Sequence, residues 1–242
     1  LSKVPKSATK KHSKSRMDST TSPLVHLIPW DPDSSSHIAL MTAQRVACGW
    51  KSEKVESWRE PQRTGEMNLQ WIVPTNPTTT ANLPPSASTP IKDTARTFGA
   101  KPRTPTTAPF IPAGHISLNT TYETPGHIEP IPHLYFISNF YITTSLQSHG
   151  LGRAAMDLIE QLAVSEPLNA ETLALSTAAD DGAGRAEKFA AFGRTLPTVS
   201  TQGWYERRGY VVFRRVAEMW WEVDGVGRRW PTEAVFMRKD IM

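Results

Sequence analysis

Two glycines stand directly before a helical pattern in the segment TTSLQSHGLGRAAMDLIEQLA, residues 143–163. The first turn of a helix presents backbone N–H groups that have no partner within the helix, at the positive end of the helix dipole. Gly150 and Gly152 bring no side chains that would cover those groups. The segment therefore predicts an anion site, for which phosphate is the expected ligand. A simple glycine turn before a buried helix would have the same sequence.

Two common phosphate-binding motifs fit this segment poorly. A P-loop requires Gly-Lys-Ser/Thr, which is absent. The letters Gly150-x-Gly152-x-x-Ala155, with Asp180 downstream, satisfy a loose dinucleotide fingerprint. That fingerprint needs a tight turn from strand to glycine, whereas a longer connection follows the apolar run that ends at Ile142. A dinucleotide-dependent oxidoreductase is therefore the weaker alternative.

A third pattern fits better. The letters QSHGLG, residues 147–152, resemble the Q/R-x-x-G-x-G/A loop of the GCN5-related N-acetyltransferases, the GNAT superfamily. The letters GWYERRGYVVF, residues 203–213, resemble that family's second signature, a helix ending in aromatic-Tyr-Glu-x-x-Gly-Phe/Tyr before a strand. The two segments occur in the family's order, with the strand ETLALS (171–176) between them. The close resemblance covers residues 134–213, and a looser one covers 23–242.

The resemblance implies a binding site for acetyl-CoA, as co-substrate, in a V-shaped gap between the strands at 134–142 and 171–176. Backbone groups near Tyr141, Ile142 and Thr143 would pair with the pantetheine arm. The loop and helix start would hold the pyrophosphate through their backbone, and Arg153 would either reach the 3′-phosphate or be a solvent-exposed arginine of the helix. These residues are Gln147, Ser148, His149, Gly150, Leu151, Gly152 and Arg153.

The resemblance also implies a role for Tyr205, which aligns with the tyrosine that protonates the departing thiolate in many family members. A phenol is protonated at neutral pH and can donate to sulfur. A packed aromatic on an amphipathic helix is the alternative. Direct attack by an amine needs a base, and residues 130–156 contain no acidic residue. The open candidates for that role, or for holding a water that serves it, are Glu123, Glu129, His133 and Asn139.

Apolar periodicity predicts the elements around this site. Residues 134–142 are apolar on both faces, which is typical of a strand covered on both sides. From Leu151 the apolar or small residues recur at offsets of 0, 3, 4, 7, 8, 11 and 12, one face of a helix. The remaining predicted strands lie at 23–30, 66–74, 113–122, 171–176, 210–223 and 233–240. The remaining predicted helices lie at 36–48, at 51–60 ending before Pro61, at 186–194, and from a possible cap at Thr198 to the glycine stop at 209.

These elements predict an α/β (α+β) fold, a GNAT-like mixed, mostly antiparallel sheet flanked by helices. Residues 1–22 hold six Lys or Arg and one Asp, and we expect a disordered basic tail before a domain at 23–242. Residues 74–112 contain nine Pro and ten Thr, which predicts a disordered insertion. A second insertion, around 180–197, is expected beside the cofactor gap.

Composition limits the possible partners. Without its tail the chain is close to neutral, so a nucleic-acid partner is not expected. No apolar run has the length of a membrane span, the single Cys48 allows no internal disulfide, and no metal is expected. We expect a cytoplasmic protein, with nuclear import through the basic tail left open. The acceptor would be an amine, with small molecules slightly favoured over proteins. A non-catalytic acyl-CoA-binding or interaction module on the same fold is the other main alternative.

Overall fold

The main sheet of the computed structural model has seven strands, and the structure describes residues 23–81, 83, 85–122, 131–182 and 184–241. The strands are β1 (Val25–Pro29), β2 (Met67–Pro74), β3 (Gly114–Asn119), β4 (Leu134–Ile142), β5 (Thr172–Ala178), β6 (Val211–Val223) and β7 (Arg229–Asp240). Their order is β1-β2-β3-β4-β5-β7-β6, and the neighbours are antiparallel except for the parallel pair β4 and β5. The predicted mixed, mostly antiparallel sheet is confirmed, and its order is not the doubly wound one of a dinucleotide fold.

Five helices accompany the sheet in the described part of the chain, beside short helical turns. They are α1 (Ser35–Cys48), α2 (Arg59–Thr64), α3 (Leu151–Val164), α4 (Arg185–Ala191) and α5 (Thr201–Glu206). The short turns are the 3₁₀ segments Ser52–Trp58, Pro77–Thr80 and Thr144–Leu146 and the four-residue helix Pro85–Ser88. Gly49 follows α1, and its φ of 81° is the left-handed conformation expected just after a helix.

Two helix predictions need correction. The helix expected at 51–60 is a 3₁₀ segment followed by α2, and α2 runs through Pro61. Pro61 lies in the first turn of α2, where its missing N–H would have had no helical partner. The cap of α5 is Ser200 and not Thr198, since the Ser200 hydroxyl oxygen accepts from the Gly203 N–H at 2.9 Å.

The helices cover the two faces of the sheet in separate layers. α3 lies on one face, where its buried residues meet Ile116 and Leu118 of β3 and Leu173 of β5 in one core cluster. α1 and the segment Ser52–Trp58 lie on the other face, in a second cluster. Successive side chains of β2 point to opposite faces of the sheet, so Trp71 packs in the second cluster and Ile72 in the first.

The segment 74–112 differs from the disorder expected of it. Ile91–Lys92 pairs with Pro109–Phe110, and Thr97–Phe98 pairs with Lys101–Pro102. Ile91 and Phe110 are buried in the cluster beneath α1. A few apolar residues therefore anchor a segment whose average composition is that of a disordered chain.

An ion pair adds to this anchoring. The Asp93 side chain is 1% exposed and accepts from the Arg103 guanidinium at 2.6 and 2.7 Å and from Thr106. Burial opposes ionisation of Asp93, but the hydrogen bonds from Arg103 and Thr106 outweigh it and lower the pKa to about 2. The basic tail at 1–22 falls outside the described residues and stays a prediction.

Candidate functional site

The strands β4 and β5 separate part of the way along their length. Their parallel pairing runs from Leu134 opposite Thr172 to Phe136 opposite Ala174. β4 continues to Ile142 and β5 to Ala178, and no pairing is recorded between these described continuations. The result is a gap that widens toward the end of β4.

A β-bulge bends β4 where it leaves β5. His115 lies opposite Tyr141 and Ser117 opposite Ser138, so β4 has one more residue than β3 over this stretch. Asn139 lies in the bulge and has a φ of 51°. Bulges of this kind increase the local twist, which accounts for the separation from β5 beginning here.

The loop after β4 leads directly to the start of α3. The Gln147 side-chain amide donates to the Ile142 carbonyl at 3.0 Å, which fastens the loop to the end of the strand. Ser148 and Gly150 then adopt positive φ values of 65° and 80°. The Ala154 N–H donates to the Gly150 carbonyl at 3.0 Å as the first turn of the helix closes.

The amides of the first turn of α3 provide the anion-binding groups. The N–H groups of Leu151, Gly152 and Arg153 precede the Ala154 bond, and in a helix such groups have no intrahelical partner.

The two glycines of this loop meet different requirements. A Cβ on Gly150 would lie 3.5 Å from Leu24 Cδ1, an ordinary contact, so its positive φ is the constraint. A Cβ on Gly152 would lie 3.5 Å from Phe140 Cζ, where a larger side chain would fill the space between helix and strand.

A cavity of about 410 Å³ lies between the end of β4, this loop and α5. Six of the residues predicted to act at the site line it, namely Tyr141, Ile142, Gln147, Ser148, Gly152 and Tyr205. The other predicted residues are not among the residues that line it. Leu151 is buried in the core beneath the sheet, Arg153 is exposed on α3, and the His149 ring lies 2.7 Å from the Gln147 carbonyl. Thr143 and Gly150 shape the loop through their backbone.

A larger cavity of about 1210 Å³ lies on the opposite face, between α1, the middle of the sheet and β6. Its floor includes Asn119 of β3 and Ser138 and Asn139 of β4. Its walls include Trp50 and Trp58 on one side and the segment 216–220 of β6 on the other. Sequence reasoning missed Asn119 and the β6 segment, because no local pattern marks residues that distant strands bring together.

Within the described part of the chain, three residues line both cavities, namely Phe140, Thr201 and Tyr205. Tyr205 is 7% exposed, and its ring makes edge contacts with Trp204 at 5.0 Å and Tyr210 at 5.8 Å between centroids. Burial raises the pKa of its hydroxyl above the ordinary value, while the charge of Arg208 opposes that rise. Tyr205 is therefore a neutral phenol at physiological pH, located where the two cavities meet.

The short helix that carries Tyr205 is tied to α3 at its far end. Arg208 donates to Glu160 at 3.1 Å and to Asp157 at 2.7 Å, both on α3. Tyr210 donates to the same Glu160 at 3.2 Å. These bonds set the position of Tyr205 relative to the helix whose start borders the smaller cavity.

The candidate bases occupy different places. His133 precedes β4, at the end where β4 and β5 are paired, and its ring lies 3.0 Å from the Asn169 carbonyl. It is not among the residues that line either cavity. Glu123 and Glu129 fall outside the described residues. Asn139 lines the larger cavity and donates to the Ser117 hydroxyl at 3.3 Å.

The described ranges contain neither a metal-binding cluster nor a membrane-spanning helix. No group of three or more His, Cys, Asp or Glu side chains there is arranged to hold a metal ion. No helix in those ranges is long and apolar enough to cross a bilayer.

Comparison with known proteins finds similarity in structure and not in sequence. No protein-family model matches the chain, and no curated protein matches it. An aminoglycoside 6′-N-acetyltransferase complexed with coenzyme A aligns with a TM-score of 0.52 and 12% identity, over 90% of this chain and 97% of that one. A chimera of the spermidine N-acetyltransferase of Vibrio cholerae and hSSAT aligns with a TM-score of 0.52 and 10% identity, over 90% of this chain and 96% of that one. A Desulfovibrio desulfuricans protein assigned to the GNAT acetyltransferases aligns with a TM-score of 0.51 and 12% identity, over 90% of this chain and 99% of that one. The chain thus has the fold of the GCN5-related N-acetyltransferases, as its glycine loop and its Tyr-Glu-x-x-Gly segment predicted.

Proposed function

We propose that the protein is an acetyl-CoA-dependent N-acetyltransferase that joins acetyl-CoA and an amine in one ternary complex. The observation that carries this proposal is the meeting of two cavities at Tyr205. One cavity is bordered by the free amides of a helix start, as a diphosphate requires. The other is large enough for a small acceptor and opens on the opposite face of the sheet. The structural similarity to N-acetyltransferases supports the same reading.

Backbone groups would hold the cofactor. The diphosphate would accept from the amides at the start of α3, including those of Gly152 and Arg153. The Thr143 N–H already donates to the Ala113 carbonyl at 2.8 Å, on the β3 side of the chain. Successive strand amides point to opposite edges, so the Ile142 N–H faces the gap and is available to the pantetheine arm. Thr143 would then contribute by ending the strand and not by contacting the cofactor.

Tyr205 would act on the leaving group. A neutral amine attacks the thioester carbon, the C–N bond forms, and the C–S bond breaks as the intermediate collapses. The developing thiolate takes the phenolic proton of Tyr205, and the proton on the new amide nitrogen restores the phenol. Because burial raises the pKa of Tyr205, the phenol is always available as a donor but must regain its proton within the same event.

The test is a panel of primary amines incubated with acetyl-CoA and the protein, with the release of free thiol as the signal. Small diamines, arylalkylamines, aminoglycosides and peptides with free N-termini should be included, because the acceptor class is open and small molecules are slightly favoured. Calorimetry should show binding of acetyl-CoA, with NAD and ATP much weaker. Comparable affinity for NAD would refute the proposal.

A non-catalytic acyl-CoA-binding module is the second candidate. The absence of an acidic residue in the segment 130–156 favours it, since an enzyme needs a group that takes the amine proton. Binding of acetyl-CoA without thiol release from any amine in the panel would support this candidate.

A further inference from the structure

β6 contains a wide bulge over the larger cavity. Val216 lies opposite Ala234 and Trp220 opposite Thr232, so the chain advances four residues along β6 and only two along β7. The intervening residues, Ala217, Glu218 and Met219, have no recorded partner on β7 in the described register. All three line the larger cavity. The bulge therefore turns a piece of strand toward the space that an acceptor would occupy.

Glu218 occupies a strained position within this bulge. Its φ of 52° lies in the left-handed region, which a residue with a side chain adopts only at an energetic cost. Residues held in such conformations concentrate at binding and catalytic sites. The strain identifies Glu218 as the point at which the strand is reshaped around the cavity.

The carboxylate of Glu218 differs from that of Glu222, which lines the same cavity. Glu222 accepts from Lys188 at 2.6 Å and from Arg194 at 3.1 Å. Burial opposes its ionisation, but these partners outweigh that effect and its pKa is lowered, which makes it a weak base. Among the described residues, no hydrogen bond or ion pair is recorded for the Glu218 side chain, so its oxygens are available to a ligand.

The floor of the cavity offers further acceptors. Asn119 is 4% exposed, and its side-chain oxygen has no partner among the described residues. The Asn139 side-chain oxygen is likewise buried and unpartnered within the described chain. An unsatisfied buried acceptor destabilises the fold, and a ligand that carries N–H donors can relieve that cost. An ammonium group supplies three donors.

Resting on the proposed function, we infer that Glu218 and the two asparagines form an acceptor subsite for a primary amine that arrives as ammonium. The asparagine oxygens accept N–H bonds, and Glu218 takes one proton from the ammonium. The neutral amine then attacks the thioester carbon while the C–S bond gives its electron pair to sulfur. Sulfur is protonated through Tyr205, and Glu218 releases its proton to solvent through the open cavity. In total, one ammonium and one thioester give one amide, one thiol and one proton.

The test compares Glu218→Gln with wild type on the best amine of the panel, with Glu171→Gln as the matched control. Glu171 is exposed at the opposite end of β5 and does not line either cavity. We expect kcat/KM of Glu218→Gln to fall about 10²–10⁴-fold. Acetyl-CoA affinity and thermal stability should be unchanged, and Glu171→Gln should match wild type.

The conservative variant Glu218→Asp separates a proton acceptor from a structural role. Glu218→Asp keeps a carboxylate and should retain part of the turnover, whereas Glu218→Gln keeps the size of the side chain and should lose it. A wild-type protein that turns over, with Glu218→Gln within a few-fold of it and Glu218→Asp no more active than Glu218→Gln, would overturn the inference and leave the proposed function standing. An equal loss in Glu171→Gln would also overturn it. A wild-type protein without turnover on any amine would overturn the proposed function, and the subsite with it.

Discussion

Tyr205→Phe separates the proposed proton donor from its packing. The substitution keeps the ring and its edge contacts with Trp204 and Tyr210 and removes only the hydroxyl. No hydrogen bond from that hydroxyl to a described residue is recorded, so we expect the free energy of unfolding to change by less than about 1 kcal/mol. Acetyl-CoA affinity should also be retained, because the diphosphate would bind at the start of α3.

Turnover should fall by about 10²–10⁴-fold, the usual contribution of a positioned general acid. That loss corresponds to about 3–5 kcal/mol in the barrier. It should appear equally in kcat and kcat/KM, since the interaction forms only in the transition state. Burial raises the pKa of Tyr205, so wild-type activity should show no alkaline limb from this phenol below about pH 10.

Tyr210→Phe is the matched control. Tyr210 adjoins Tyr205 but donates to Glu160 at 3.2 Å and is not among the residues that line either cavity. Its loss should cost about 1–2 kcal/mol of stability and leave turnover within a few-fold. Steady-state kinetics with thiol detection, calorimetry and thermal melts measure all three quantities. A Tyr205→Phe variant that turns over at the wild-type rate would refute the assignment of the acid while retaining the enzyme.

Three substitutions and one digestion test the loop, the insertion and the tail. Gly150→Ala should destabilise the fold by about 1–2 kcal/mol in denaturant unfolding, because the φ of 80° at Gly150 disfavours any side chain. Gly150→Asp should in addition abolish acetyl-CoA binding in calorimetry. Asp93→Asn should lower the free energy of unfolding by about 2 kcal/mol at neutral pH. In the folded protein the pKa of Asp93 is lowered to about 2. The stability that Asp93 contributes in wild type should therefore be present above about pH 4 and vanish as the pH falls toward 2. Trypsin should cut the tail at 1–22 before it cuts at Arg103, which is ion-paired in the folded insertion, and mass spectrometry of the fragments checks the order.

Local sequence determined the elements that build the cofactor end of the site. The strand at 134–142 and the helix beginning at Leu151 occur as their apolar periodicity predicted, because period and side-chain type act over a few neighbouring residues. The glycine loop between them was equally local, since a positive φ at Gly150 is a property of one residue. The helix of Tyr205 was predicted for the same reason, although its cap is Ser200.

Tertiary structure decided what those elements surround. The segment 74–112 is folded because Ile91 and Phe110 reach a core formed by α1 and β2, a partner that its own composition does not reveal. Glu218 reaches the larger cavity because β6 and β7 pair with unequal numbers of residues, and such a register depends on two strands at once. Asn119 and Tyr205 come to the same cavity from distant parts of the chain. Periodicity describes how a residue relates to its own helix or strand, whereas the contents of a cavity depend on how separate elements are packed.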